Sequence, residues 1–224
     1  MGEPMAGRTR KPRFERQLAD ARRQALIDAA IASLKREGHE GLSVRSIAAE
    51  AGVSLGLINH HFPNKEALVA EAYRHFHRQL FHVHTQAVAR AKPTARGRLH
   101  AFLESTFSPP NLDREVLTAW LVFCGMLRHS KEIQRVHDQT YGDYVELVRS
   151  MLAGLEKEEG RLRLSLRIAA IGLTSLLDGL WLEWCLDPDH FTPKESIRIC
   201  EAWIENLSPS RAGRRGRLRG SSRP

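Results

Sequence analysis

The residues best suited to act outside their own fold lie between Leu42 and Lys65, in the run LSVRSIAAEAGVSLGLINHHFPNK. Within it Ala48 is small enough for a second helix to cross closely. Gly52, four residues on, can take a left-handed turn, and Ile58 can pin the second helix back onto the first. Small residue, glycine and apolar residue at this spacing describe a helix-turn-helix. Ser43 and Ser54 stand where helix N-caps are wanted, Ser54 directly before the second helix. That second helix then presents Leu55, Asn59, His60 and His61 outward. In this motif it occupies the DNA major groove, where Leu55 can meet a thymine methyl, Gly56 permits close approach, and Asn59 can hydrogen-bond a base or a phosphate. Of His60 and His61, either one packs inward while the other faces DNA, or both face it.

Other reactive residue types form no such constellation. His75, His77, His82 and His84 crowd one helical stretch, but no two are three or four apart, so a metal site is not expected; a solvated or partly packed face is. Cys124, Cys185 and Cys200 lack CxxC spacing and suggest neither a disulfide framework nor a zinc site. The chain contains no Walker A loop, dinucleotide fingerprint or G-x-S-x-G elbow, so no cofactor is expected and an enzyme or scaffold is only a remote alternative.

Composition places these residues in an ordinary globular chain of 224 residues with 42% apolar content. The net charge of +8 is unevenly spread. Residues 1–24 hold Arg8, Arg10, Lys11, Arg13, Arg16, Arg22 and Arg23 against three acids, and residues 208–224 hold six Arg and no acid. The body between them is slightly acidic. The basic N-terminal arm, residues 1–18, can track phosphates or enter a minor groove, or remain a solvated tail. The Gly, Ser and Arg of 208–224 provide no apolar anchor and read as a disordered tail. No apolar stretch follows the basic N-terminus as a secretory signal would require. The longest apolar run, Ile168 to Leu182, is interrupted by Asp178 and reads as too short for a membrane span, so a cytoplasmic setting is expected.

The elements that must position these residues are helices, since period-two alternation is absent and helical periodicity recurs. The expected fold is all-α, with a three-helix DNA-binding domain over 19–65 and a larger helical domain over 66–207. Ile27, Ala30, Ile31 and Leu34 make the stripe of a first helix from about Ala19 to Glu37, ended by Gly38. Asn64 caps a connecting helix that begins at Lys65 and runs toward Val88. Pro93 and Pro109-Pro110 bound a helix near Arg96–Phe107; Asp113 caps Arg114–Leu127, and Ser130 caps a long helix to about Leu155. The segment Ile168–Leu182 is apolar nearly all round, so one face should meet its own domain and another a second copy. Thr192-Pro193-Lys194-Glu195 is a capping box for a last helix. Leu173, Leu176, Leu180, Ile197, Cys200, Trp203 and Ile204 are the expected dimer residues, forming a four-helix bundle from two copies.

From Leu26 to Leu68, with IAAEAGVS, Gly56 and HHFPNKEAL, the chain resembles the DNA-binding domain of the TetR family of bacterial transcriptional regulators. The resemblance implies a homodimeric repressor with an all-α ligand-binding domain, released from its operator by a small molecule. It implies operator recognition through Arg45, Ser54, Leu55, Gly56, Asn59, His60, His61 and Lys65, with phosphate roles for Ser54 and Lys65. Asn59 replaces the Tyr of most members. BetI-type regulators are similar in lacking that Tyr and in two further stretches, LTAWLVF (Leu117 to Phe123) and LLDGLWLEW (Leu176 to Trp184). They imply choline as inducer and control of glycine betaine synthesis or uptake; a regulator of efflux or catabolic genes that senses another lipophilic or cationic ligand is the alternative. A quaternary ammonium has no N–H to donate and is held best against aromatic faces with a carboxylate nearby. Trp120, Trp181 and Trp184, with Phe123 and Tyr144 behind them, are candidates for such a cage, and Asp178 for the balancing charge. Aromatics at helical spacing are also what a core requires.

Overall fold

Side-chain caps set the helix starts in the computed structural model, which describes residues 13–208. The basic arm up to residue 12 and the arginine tail from 209 lie outside the described residues. Ser43 Oγ accepts from the Ser46 N–H at 2.9 Å, Asn64 Oδ1 from Ala67 at 2.8 Å, and Ser130 Oγ from Ile133 at 3.2 Å. Asp113 Oδ1 takes the Glu115 and Val116 amides, and Thr192 and Glu195 form the reciprocal capping box with Pro193 behind them. Ser54 is an exception. It occupies the N-cap position, but its hydroxyl makes no capping bond, and the Ser54 carbonyl accepts from Leu57 instead.

Among the described residues the resulting elements are α1 (Arg13–Glu37), α2 (Val44–Ala51), α3 (Leu55–His61), α4 (Lys65–Arg90), α5 (Ala95–Thr106), α6 (Arg114–Met126), α7 (Lys131–Glu159), α8 (Leu166–Leu186) and α9 (Pro193–Leu207). A 3-10 turn, Gly38–Leu42, joins α1 to α2. Helix α1 begins at Arg13 rather than near Ala19, because the intervening Arg, Glu, Gln and Leu are good helix formers with no breaker among them. The chain divides into two compact units inside α4, between Ala72 and Tyr73. Leu68, Val69 and Ala70 are buried in the first unit, which carries that division past Lys65.

In the first unit Leu26, Ile27, Ala30, Ile31 and Leu34 of α1 form a buried stripe with Leu42, Ile47, Ile58 and Phe62. Gly52 ends α2 in the left-handed conformation at φ +63°, and a Cβ there would meet nothing within 4 Å. Gly41 serves a different need, since a Cβ on it would lie 2.2 Å from the Ser33 carbonyl oxygen. The Arg23 guanidinium stands 4.9 Å over the Phe62 ring and 3.3 Å from Glu71.

In the second unit α8 packs on α6, α7 and α9, and α5 packs on α7 and α9. Both carboxylate oxygens of Glu158 in α7 accept from the Ala95 amide, placing negative charge at the N-terminus of α5, and Arg96 pairs with Glu159 next to it. His100 Nδ1 lies 2.7 Å from Glu201 of α9. Helices α8 and α9 approach closely because Gly172 has no side chain: a Cβ there would be 2.6 Å from the Trp203 ring. By length and composition α8 could cross a bilayer. Its helix is longer than the run Ile168–Leu182 suggested, yet it is packed on three neighbours and carries Asp178.

Candidate DNA-binding face and ligand cavity

Ile47, Ala48 and Ile58 are buried, so α3 is fixed with a defined side outward. Arg45, Ser54, Leu55, Gly56, Asn59, His60 and Lys65 are exposed on this unit, and Leu55 keeps 46% of its surface open although nothing polar recommends it to water. His61 is half-buried. Burial, His60 and the guanidinium groups of Arg22 and Arg23 lower its pKa, so it is neutral at pH 7 while His60 points outward. Since the Ser54 hydroxyl makes no cap, the first amides of α3 receive no side-chain partner from it.

The second unit contains a partly open cavity of about 60 Å³. Helix α4 lines it with His77, Leu80, Phe81 and His84, α5 with Thr106, α6 with Trp120, α7 with Thr140, Tyr141 and Tyr144, and α8 with Leu177, Asp178 and Trp181. Trp181 donates its indole N–H to the Thr106 carbonyl at 3.1 Å, which fixes the ring, and Trp120 meets it edge-on at 6.0 Å. Four of the six ligand residues expected from sequence therefore come together: Trp120, Tyr144, Asp178 and Trp181. Phe123 and Trp184 do not join them. Phe123 is fully buried against Tyr73 and Phe76, at 4.8 and 5.5 Å between ring centres, and Trp184 is half-buried outside the cavity lining.

The α4 residues were missed, although a signal existed. His77, Leu80, Phe81 and His84 follow i, i+3, i+4, i+7, the pattern of an inward stripe. On the face read as solvated or partly packed, His77 is half-buried and His84 buried, and both line the cavity. Burial lowers each to a pKa of about 4, so both are neutral. Among the described residues no cluster of three His, Cys, Asp or Glu could hold a metal ion.

Hydrogen bonding fixes the His84 tautomer. The Ser105 hydroxyl gives its one proton to the Phe102 carbonyl at 2.7 Å, so the His84 Nδ1 at 2.8 Å must donate to it. His84 Nε2 is then the acceptor, facing the Asn111 amide nitrogen at 3.4 Å. Burial also raises the pKa of Tyr141 and Tyr144. Asp178 is thus the one lining side chain that carries charge at neutral pH. Desolvation raises its pKa to about 6 against the opposing pull of Tyr141, whose hydroxyl donates to Oδ2 at a long 3.5 Å. Aromatic walls, a poorly satisfied carboxylate and no positive lining group give this cavity the chemistry that suits a compact cation.

The apolar flank of the last two helices differs from expectation. Leu173, Cys200 and Ile204 are 0%, 0% and 3% exposed, closed inside their own chain, so they cannot face a partner. Leu176, Leu180, Ile197 and Trp203 are half-buried. The outward apolar side chains are Ile168, Ile171, Leu182 and Leu186 of α8 and Ile199 of α9.

All-helical units of this kind, one a helix-turn-helix and one a helical bundle around a cavity, are the architecture of a DNA-binding regulator. Residues 26–72 match the N-terminal domain of bacterial regulatory proteins of the tetR family, and residues 93–209 match the C-terminal domain of BetI-type transcriptional repressors. The chain belongs to the TetR family of transcriptional regulators, in its BetI-type branch. It is 30% identical over 191 residues to the HTH-type transcriptional regulator BetI of Paraburkholderia phymatum, covering 85% of this chain and 94% of that one. The BetI of Burkholderia thailandensis is also 30% identical, over 87% of this chain and 97% of its own. A crystal structure of a transcriptional regulator from Pseudomonas aeruginosa PAO1 shares 47% identity, with a TM-score of 0.78 over 87% of this chain and 94% of that chain. The fold also matches a regulator from Saccharomonospora viridis crystallised in complex with choline, at 22% identity and a TM-score of 0.75, over 85% of this chain and all of that one.

Proposed function

We propose that this chain is a cytoplasmic, homodimeric repressor that leaves its operator on binding choline or a related quaternary ammonium. The carrying observation is Asp178: a carboxylate set among Trp120, Tyr141, Tyr144 and Trp181, with one long hydrogen bond and no cation to balance it. A trimethylammonium group would supply the charge and spread its methyl groups over the aromatic faces, each contact contributing roughly 0.5–2 kcal/mol. Arg45, Ser54, Leu55, Gly56, Asn59, His60 and Lys65 are the proposed DNA-contacting set, with His61 as support. The outward apolar residues of α8 and α9 are the proposed dimer face, which Leu176, Leu180, Ile197 and Trp203 would border.

Helix α4 supports a coupling between ligand and DNA. It runs unbroken from Lys65 to Arg90 and carries His77, Leu80, Phe81 and His84 on the cavity wall. A ligand that displaces that wall displaces the helix on which Lys65 stands, and it favours release only as far as it binds the released state more tightly. The test is fluorescence anisotropy on a labelled duplex from the protein's own upstream region. Retention of the duplex without ligand and its release by millimolar choline, with Trp181→Leu holding DNA but ignoring choline, is the expected result. Release of wild type and variant alike would move the ligand site elsewhere, and no release would refute the choline response.

A further inference from the structure

A buried side-chain nitrogen or oxygen without a hydrogen-bond partner is uncommon and calls for a physical reason. Among the described residues these atoms are Ser33 Oγ, His77 Nε2, Asn111 Oδ1 and Ser208 Oγ. Of the four residues, His77 alone belongs to the cavity lining. The contrast with His84 on the same wall is sharp: both nitrogens of His84 are matched, by Ser105 and Asn111. His77 is flanked by rings, edge-on to Tyr73 at 4.4 Å and to Phe76 at 5.7 Å, which offer its Nε2 no hydrogen-bonding atom.

We infer that His77 is the specificity-determining anchor for a hydroxyl group on the ammonium ligand, pairing with it through Nε2 while Asp178 and the aromatic rings hold the cationic head. This rests on the quaternary-ammonium reading of the cavity and adds a second point of attachment to it. A neutral imidazole nitrogen is either a donor or an acceptor, and a hydroxyl is both, so the pair can form whichever tautomer His77 adopts. A methyl group in the same place leaves Nε2 buried and unpaired in the complex as well. Sites built to bond a ligand hydroxyl reject the analogue that lacks it, because the polar group of the site is then stranded. His77 and Asp178 stand on different helices, α4 and α8, so a ligand engaging both would tie the connecting helix to the rest of its domain.

The test compares choline with propyltrimethylammonium, which replaces the hydroxyl by a methyl at nearly the same size. Titration calorimetry is run on full-length wild type, His77→Phe and His77→Gln, with thermal melts and operator binding as checks on folding. Wild type should prefer choline by about tenfold or more. His77→Phe should bring the two cations within about twofold of each other, and His77→Gln, which keeps a hydrogen-bonding end, should restore part of the preference. A folded His77→Phe that keeps the wild-type ratio overturns the assignment, as does a wild type without preference. If His77→Phe does not fold, His77→Gln decides by its ratio: an unchanged preference for choline, or none, overturns the assignment. Failure of both cations to bind wild type overturns the quaternary-ammonium reading and the His77 role with it, whereas choline binding without discrimination overturns the His77 role alone.

Discussion

Replacing Asp178 by Asn should make the protein more stable and unable to sense a cation. In the folded chain the Asp178 carboxyl has a pKa of about 6, against 3.8 ordinarily, because burial disfavours its charged form. Between pH 3.8 and 6 the folded state keeps a proton that the unfolded chain has lost, so stability falls as pH rises through that window. Above it the full difference, about 3 kcal/mol, opposes folding. Asn removes the charge and leaves an oxygen for the Tyr141 hydroxyl, but its own amide N–H groups need partners, which offsets some of the gain. A net stabilisation of about 1–3 kcal/mol at pH 7 is expected, raising the melting temperature by roughly 3–10 °C for a chain of this size. The choline affinity should fall about a hundredfold or more, since a charge pair at contact distance in a partly buried site is worth several kcal/mol. Melts of wild type and variant from pH 4 to 8, paired with calorimetry, check both halves. The two melting curves should converge near pH 4 and separate above pH 6. A variant no more stable than wild type at pH 7, or a gap that persists in acid, would refute the desolvation argument; undiminished choline affinity would refute the electrostatic one.

Lys65→Ala should weaken operator binding evenly across duplex sequences and reduce the slope of log affinity against log salt by about one, read from anisotropy titrations at several salt concentrations. An unchanged slope removes Lys65 from the phosphate contacts. Gly52→Ala should cost only the left-handed backbone penalty, about 1–2 kcal/mol, because its Cβ meets open space, whereas Gly41→Ala drives a Cβ into the Ser33 carbonyl and should unfold the DNA-binding unit. Equal melting temperatures for the two variants would contradict this ordering. Ile171→Glu, on the outward side of α8, should convert a dimer to monomer in sedimentation velocity; a variant that sediments as wild type does places the interface elsewhere.

Features governed by neighbours in sequence are legible in the amino-acid sequence itself. Caps at Ser43, Asn64, Asp113, Ser130 and Thr192 follow from single residues in front of helical stretches, and the α1 stripe follows from apolar spacing against a polar opposite face. Periodicity failed where a helix has no polar face to set its phase. Helix α8 is apolar all round, so nothing in its pattern distinguishes Leu173, which turns inward, from Ile171, which turns out. Trp181 and Trp184 lie three residues apart, about 60° around the helix, and the difference between cavity and flank is which neighbour covers that arc. The same holds for Trp120 and Phe123 on α6. The spacing of the α4 histidines fits no metal, while the four-residue stripe containing two of them describes a wall. Ser54 looked like a cap because its position is one; its hydroxyl proved uncommitted.

Helix α8 leaves the sequence little room to drift. Leu177, Asp178 and Trp181 line the cavity, Ala169, Ala170 and Leu173 close the core, Gly172 sits under Trp203, and Ile168, Ile171, Leu182 and Leu186 form the outward stripe. A substitution almost anywhere along it disturbs cavity wall, core, helix contact or outward stripe. A relative acquiring a new ligand would therefore change more readily at Leu80 and Phe81 of α4 or Thr140 of α7, which face the cavity but take no part in the α8–α9 contact or the outward stripe. In a duplicated gene those walls are where divergence in what is sensed should begin, with α8 the last to follow.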